Sequence, residues 1–258
     1  MNYIFSVLDY FAEISTLLIF IVKNVAGLFS QKKKEHNRII SGITKKQIYF
    51  TAIQALFLVS SVAVLFGAVI VIQSITQLPK WGAEKYIGKI LVLVIIRELG
   101  PIFTALIVIG RSASAIATEI GNMSVANEIE ALESMGIDPL EYILIPRLLG
   151  MSISIVLLTF YFNIVGILGG FLAANITADA AFTILFNNLI NAITFVDIIV
   201  AFFKSLGFGI IISIIAVHQG LNVKLSLIEV PRAATKSVVH SLLFLFIFNG
   251  LLTVLFYV

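Results

Sequence analysis

Cysteine is absent from the 258 residues. That excludes disulfides, thiol nucleophiles and thiolate metal ligands, and it leaves the redox compartment open. Charge is scarce. Only 12% of residues are Asp, Glu, Lys or Arg, while 60% are hydrophobic; soluble domains run near 25% charged. A chain with so little polar surface does not stay folded in water. Its net charge of +3 is too small to mark a nucleic-acid surface, so no nucleic-acid partner is expected. No GxxxxGKS/T run occurs, so the chain binds no ATP through a P-loop of its own. No HExxH is present either, and His36, His218 and His240 are scattered, so no metal centre is expected. A GxSxG elbow is also missing. Ser112 or Ser114 with His218 is the weak arrangement left for an intramembrane hydrolase. The N-terminus lacks a basic n-region and a small-residue cleavage site, so no cleavable signal is expected. There is no solenoid-type repeat and no low-complexity tract.

What the chain has instead is apolar length. Several runs reach the ~20 residues that a bilayer crossing needs. Five spans are expected, at about 50–73, 88–112, 148–174, 195–217 and 238–257. Before them, Asn2, Ser6, Asp9, Glu13, Thr16, Lys23 and Gly27 recur at steps of three and four, broken only at Phe20. That is one polar face on a helix, which suits a helix lying in the interface. The alternative is a first spanning helix with its polar side against neighbours. Residues 30–47 form a basic arm with Lys32, Lys33, Lys34, Arg38, Lys45 and Lys46. Eleven basic residues fall on the side of this arm and of the later inner loops, against three at Lys80, Lys85 and Lys89. The positive-inside bias therefore makes the arm cytoplasmic. Leu78 to Gly82 reads as an outer turn, with Trp81 and Tyr86 at headgroup level. Two parts are expected: 1–47, an interfacial helix and cytoplasmic arm, and 48–258, a transmembrane domain. The fold class is an all-α polytopic membrane protein.

Charges inside the spans are the first candidate site. Arg97 and Glu98 lie in the second span and Lys204 in the fourth, each roughly 10–15 Å deep at ~1.5 Å per residue. A charge at the bilayer centre costs a few kcal/mol even on lenient scales, so each needs a partner or a wet cavity. Two readings stay open. In one, Glu98 pairs with Lys204 to fix helix register while Arg97 snorkels outward. In the other, a lipid-accessible cavity uses Arg97 and Lys204 to attract an anionic headgroup, helped by a surplus of two cations over one acid. Arginine suits phosphate because its planar fork donates two parallel hydrogen bonds. Gly100-Pro101 predicts a kink beside this site. Small residues at steps of four, Gly166-Gly170-Ala174 and Ser205-Gly209-Ser213, let helices approach closely. They fit intrachain packing and dimerisation equally.

The second candidate lies in the acidic stretch 113–147. Asn127 as N-cap, Glu128 and Glu130 in a first turn, Gly136 as the residue past the end and Pro139 beyond it predict a short helix over 128–135. Ile129 and Leu132 would face one way, and Glu128 and Glu130 largely another. It is either a stray surface helix or a coupling helix between spans 2 and 3 that docks into a cytoplasmic partner, with Glu133 on the same segment.

Two blocks, RELGPIFTALIVIGRSASAIATEIGNM from Arg97 and IEALESMGIDPLEYILIPRLLG from Ile129, closely resemble the MlaE-type permease of bacterial lipid-transport ABC systems. Further matches are NIVGILGG at 163–170, Lys204-Ser205 followed by Gly207-Phe208-Gly209, and EVPRAATKSVV at 229–239. The likeness covers about 45–258. It departs at 221–235, where the family's glycine-rich run is lost and Pro231 precedes Arg232. The resemblance implies a homodimer working with two copies of a cytoplasmic ABC ATPase and a periplasmic MCE-domain protein, in the bacterial inner membrane. It implies movement of phospholipid between inner and outer membranes. It places Arg97, Glu98 and Lys204 on the lipid cavity and makes 128–135 the coupling helix. No catalytic residue and no cofactor are expected in this chain, since ATP would be held by the partner. The alternative is a stand-alone secondary transporter of an amphipathic substrate. That needs a midplane carboxylate, for which Glu98 would serve, and internal repeats, which five spans do not display.

Overall fold

The computed structural model describes residues 34–178, 182–224 and 226–257. Among them every regular element is helical, and five helical segments are long and apolar enough to cross a membrane: Ile40–Trp81, Glu84–Val125, Pro139–Ile176, Phe195–Leu221 and Glu229–Phe256. The fold class expected from hydropathy is the one observed. The amphipathic stretch 2–29 lies outside the described residues.

In chain order the helices are α1 (Lys34–Thr51), α2 (Leu56–Gln77), α3 (Ile87–Leu91), α4 (Gly100–Val108), α5 (Ser114–Val125), α6 (Glu128–Ser134), α7 (Pro139–Ala178), α8 (Phe182–Ala192), α9 (Phe195–Leu221) and α10 (Glu229–Tyr257). They run well past the limits that hydropathy suggested. The stretch 113–147, expected as a loop, is mostly α5, α6 and the start of α7. The outer segment 175–191 is largely helical, and α10 begins well before the expected start of the fifth span. Hydropathy marks where lipid ends, whereas the helical hydrogen-bond ladder continues into water as long as the residues are good helix formers. The turn expected at Leu78 to Gly82 is present: Pro79–Trp81 is one 3₁₀ turn, closed by Gly82 at φ +66°, a conformation that glycine adopts without steric cost.

Gly100-Pro101 does not simply break the second span. The chain from Val92 to Leu99 is a π-helical segment that joins α3 to α4, with the Gly100 N–H bonded to the Ile95 carbonyl. A second π segment, Ile109–Ala113, joins α4 to α5. Proline removes one i→i−4 bond, and the wider winding before it accommodates the loss. Such π-bulges recur at functional sites, and Arg97 and Glu98 both sit in this one.

The chain forms two compact units, one from Met1–Tyr49, Ile109–Met151 and Ile210–Phe244, the other from Phe50–Val108, Ser152–Gly209 and Leu245–Val258. In the first, Gly121 admits Val223 and Val230, and Gly220 sits against Ile120. In the second, Val71, Leu91, Val92, Ile95, Ile96, Phe171, Ala174, Leu189 and Ala201 form one buried cluster.

The small residues of the second unit are used within the chain. A Cβ on Gly67 would overlap the Gly166 carbonyl oxygen, and one on Gly170 would lie 2.6 Å from the Gly67 carbonyl oxygen. Gly209 meets the Ser152 backbone in the same way. Between the two readings left open for Gly166 and Gly170, this geometry is intrachain packing. Gly67→Ala is therefore expected to cost about 1–3 kcal/mol, the usual range for overpacking. Gly42→Ala, with nothing within 4 Å of the added methyl, should gain about 0.5–1 kcal/mol of helix propensity. Thermal unfolding of both variants in one detergent compares them directly.

Candidate functional site

A network around two charges is drawn from three helical segments of the second unit. Glu98 is held on the π segment, Lys204 on α9, and Asn249 and Thr253 one turn apart on α10. Lys204 Nζ donates to Glu98 Oε1 at 2.6 Å and to Thr253 Oγ1 at 3.0 Å. Thr253 in turn donates to Glu98 Oε1 at 3.3 Å, and Asn249 Nδ2 donates to Oε2 at 3.2 Å. Both carboxylate oxygens and the ammonium are thus engaged. The Lys204 side chain is 0% exposed and that of Glu98 21%. An ion that deep is tolerated only when paired and hydrogen-bonded, and this network supplies both conditions.

Arg97 takes a partner within the chain, which neither reading expected. Its Nε donates to Asp197 Oδ1, and the Asp197 side chain is 3% exposed against 19% for Arg97. Asp197 Oδ2 also accepts from the Thr194 N–H and hydroxyl, both at 2.7 Å. Asp197 therefore satisfies the Thr194 N–H at the N-terminus of α9, one half of a capping box, while its own N–H bonds to the Thr194 carbonyl at 3.1 Å. The acid lies where the helix dipole is positive, which adds to its stabilisation. The surplus of positive charge counted from Arg97, Glu98 and Lys204 is corrected by this acid: two cations face two carboxylates. Arg97 does not snorkel alone. The structure brings Glu98 and Lys204 together and directs Arg97 to a separate pair at the start of α9. Sequence reasoning missed Asp197, Thr194, Asn249 and Thr253. The signals were available, as Thr194-x-x-Asp197 before an apolar run and Asn249 to Thr253 at helical spacing.

In the first unit, α6 covers Glu128–Ser134, close to the expected 128–135. Its start differs from expectation. Asn127 makes no side-chain cap and is left-handed at φ 57°, so it acts as the residue past the end of α5. Asparagine tolerates that conformation because its short amide bonds locally. The end matches expectation in detail. Gly136 is at φ +74°, its N–H reaches the Glu133 carbonyl at 2.9 Å, and the Ile137 N–H reaches Leu132 at 3.0 Å. That pair of bonds is a Schellman motif. Glu128, Glu130 and Glu133 are exposed while Ile129 and Leu132 are half-buried, so the helix is held by its apolar side and shows its acids outward. Nearby, Arg147 pairs with Glu119 at 2.9 Å.

No hydrolase centre is assembled from the serines named above. The Ser114 hydroxyl donates to the Gly110 carbonyl at 2.8 Å, and the buried Ser112 hydroxyl has no partner among the described residues. Among the described residues no group of three or more His, Cys, Asp or Glu could hold a metal.

A multi-pass helical membrane protein is defined by these features, one whose internal charges are neutralised in pairs. The chain belongs to the MlaE permease family: the model for "Permease MlaE" matches residues 44–255. It is 34% identical over 212 residues to a probable ABC transporter permease protein of Rickettsia prowazekii, covering 82% of each chain. A probable ABC transporter permease protein of Synechocystis is 36% identical over 187 residues, 72% of this chain and 71% of the relative. The intermembrane phospholipid transport system permease protein MlaE of Haemophilus influenzae is 29% identical over 216 residues, 82% of each.

Proposed function

We propose that this chain is the membrane-spanning permease subunit of an ATP-driven phospholipid transporter of the bacterial inner membrane, moving lipid between inner and outer membranes while a separate ABC ATPase hydrolyses ATP. The observation that carries it is membership of the MlaE permease family over residues 44–255 in a sequence without a P-loop. The names of the Rickettsia and Haemophilus relatives, an ABC transporter permease and a phospholipid transport permease, agree with that division of labour. The working unit is a homodimer, with a periplasmic MCE-domain protein on its outer side. Lipid headgroups meet Arg97 and Glu98, which are partly exposed, and meet Lys204 through its bond to Glu98. The exposed acids of α6, with Ile129 and Leu132 behind them, form the surface that the ATPase pushes on.

Purification of the tagged full chain from its native membrane, with mass spectrometry of what accompanies it, tests this reading. A co-purifying ATPase and bound phospholipid are expected. A chain recovered alone and free of lipid would favour a stand-alone transporter and end the proposal.

A further inference from the structure

Where α9 gives way to α10 lies an open cavity of about 280 Å³ lined by Gln219, Asn222, Lys224, Glu229, Arg232 and Lys236. Val223 and Ala233 also line it, and both are buried in one apolar cluster with Val230. Three cations meet one acid here, and that acid is already engaged: Glu229 Oε2 accepts from the Lys224 backbone N–H at 3.0 Å. Arg232 and Lys236 are one turn apart on α10 and exposed. Among the described residues neither is in an ion pair.

A second hollow follows directly along α10, sharing Arg232 and Lys236 and adding Pro231, Thr235, Val239 and His240. Beyond the basic mouth the helix surface turns apolar, with Val239 53% and Leu243 49% exposed. A charged mouth at the end of a spanning helix, continued by a greasy wall towards the lipid, fits a molecule with a phosphate at one end and hydrocarbon at the other. An acidic protein segment would not need the apolar continuation.

We infer that this cavity is a binding site for the phosphate of an anionic membrane lipid, gripped by Arg232 and Lys236 with its acyl chain along Val239 and Leu243. The site lies on the side that the basic-residue bias makes cytoplasmic, where anionic headgroups and basic juxtamembrane residues attract. It is distinct from the Glu98–Lys204 network and stands whether or not that network meets lipid. Arginine supplies the paired donors and lysine the point charge.

The test uses the full chain in neutral detergent, titrated with phosphatidylglycerol or phosphatidylcholine and followed by native mass spectrometry, against the double variant Arg232→Gln/Lys236→Gln. Lipid held elsewhere is a background common to both. At about 1 kcal/mol per basic residue, the variant should retain phosphatidylglycerol about thirtyfold less well. Phosphatidylcholine retention and the unfolding temperature should stay unchanged. Equal phosphatidylglycerol retention by the two proteins overturns the inference. Displacement of the lipid by millimolar inorganic phosphate reassigns the cavity to a soluble anion. Loss of a co-purifying protein with phosphatidylglycerol retained reassigns it to protein docking.

Discussion

Replacing Glu98 with leucine is expected to destabilise the protein by about 3–5 kcal/mol, the range for removing one partner of a buried pair. Most of that loss should return when Lys204 is changed to methionine as well. The expectation follows from where the burial falls. Lys204 is the fully enclosed member, at 0% side-chain exposure, and without Glu98 it keeps only the Thr253 hydroxyl at 3.0 Å. A hydroxyl accepts a hydrogen bond but does not neutralise an ammonium. Asn249 loses its acceptor on Glu98 as well, and its side-chain amide oxygen is already buried without a partner among the described residues. With methionine at 204 the uncompensated charge is gone and a side chain of similar length fills the space, so the double variant approaches the stability of an apolar core. Glu98→Gln should fall between, because its carbonyl oxygen still accepts from Lys204. Unfolding of the unmodified protein, Glu98→Leu, Lys204→Met and the Glu98→Leu/Lys204→Met double in one detergent gives the cycle. A Glu98→Leu single variant as stable as the unmodified protein would show that the charges do not depend on each other.

The same residues show what sequence alone discloses. Glu98 and Lys204 are legible together because an ionised group in an apolar run has few tolerable states, and pairing is the simplest. Asp197 was overlooked because it stands at the edge of such a run, where a carboxylate next to water asks for no explanation. Only the helix end it caps reveals its use. Asn249 and Thr253 are uncharged and pass unnoticed in the hydropathy of the fifth span. Spans are read from lipid solubility and helices from hydrogen bonding, so the number of spans was legible and the ends of the helices were not. The short helix α6 was legible at its C-terminus, where Gly136 has one natural role. Its start is ambiguous in sequence, because asparagine serves equally well as an N-cap and as a left-handed residue.

Reversing Glu128 and Glu130 to lysine should abolish transport by leaving a folded permease that the ATPase no longer grips. Both acids are exposed on α6, whereas Ile129 and Leu132 hold the helix from behind. Placing like charges opposite a complementary surface costs several kcal/mol, so association should weaken about a hundredfold or more. Part of any effect could come from the helix itself, since acids in its first turn each contribute about 0.3–1 kcal/mol through the dipole. The double variant Glu128→Gln/Glu130→Gln separates the added repulsion from these losses. It gives up the dipole contribution and the attraction but adds no repulsion, so it should bind the ATPase roughly tenfold more weakly and still transport at high ATPase concentration. The Schellman closure at Gly136 is untouched in both, which keeps the C-terminal end of α6 in place. The measurements are ATPase co-purification and lipid-stimulated ATP hydrolysis in reconstituted vesicles. If hydrolysis remains stimulated by lipid in the lysine variant, α6 is a surface helix and the force enters elsewhere.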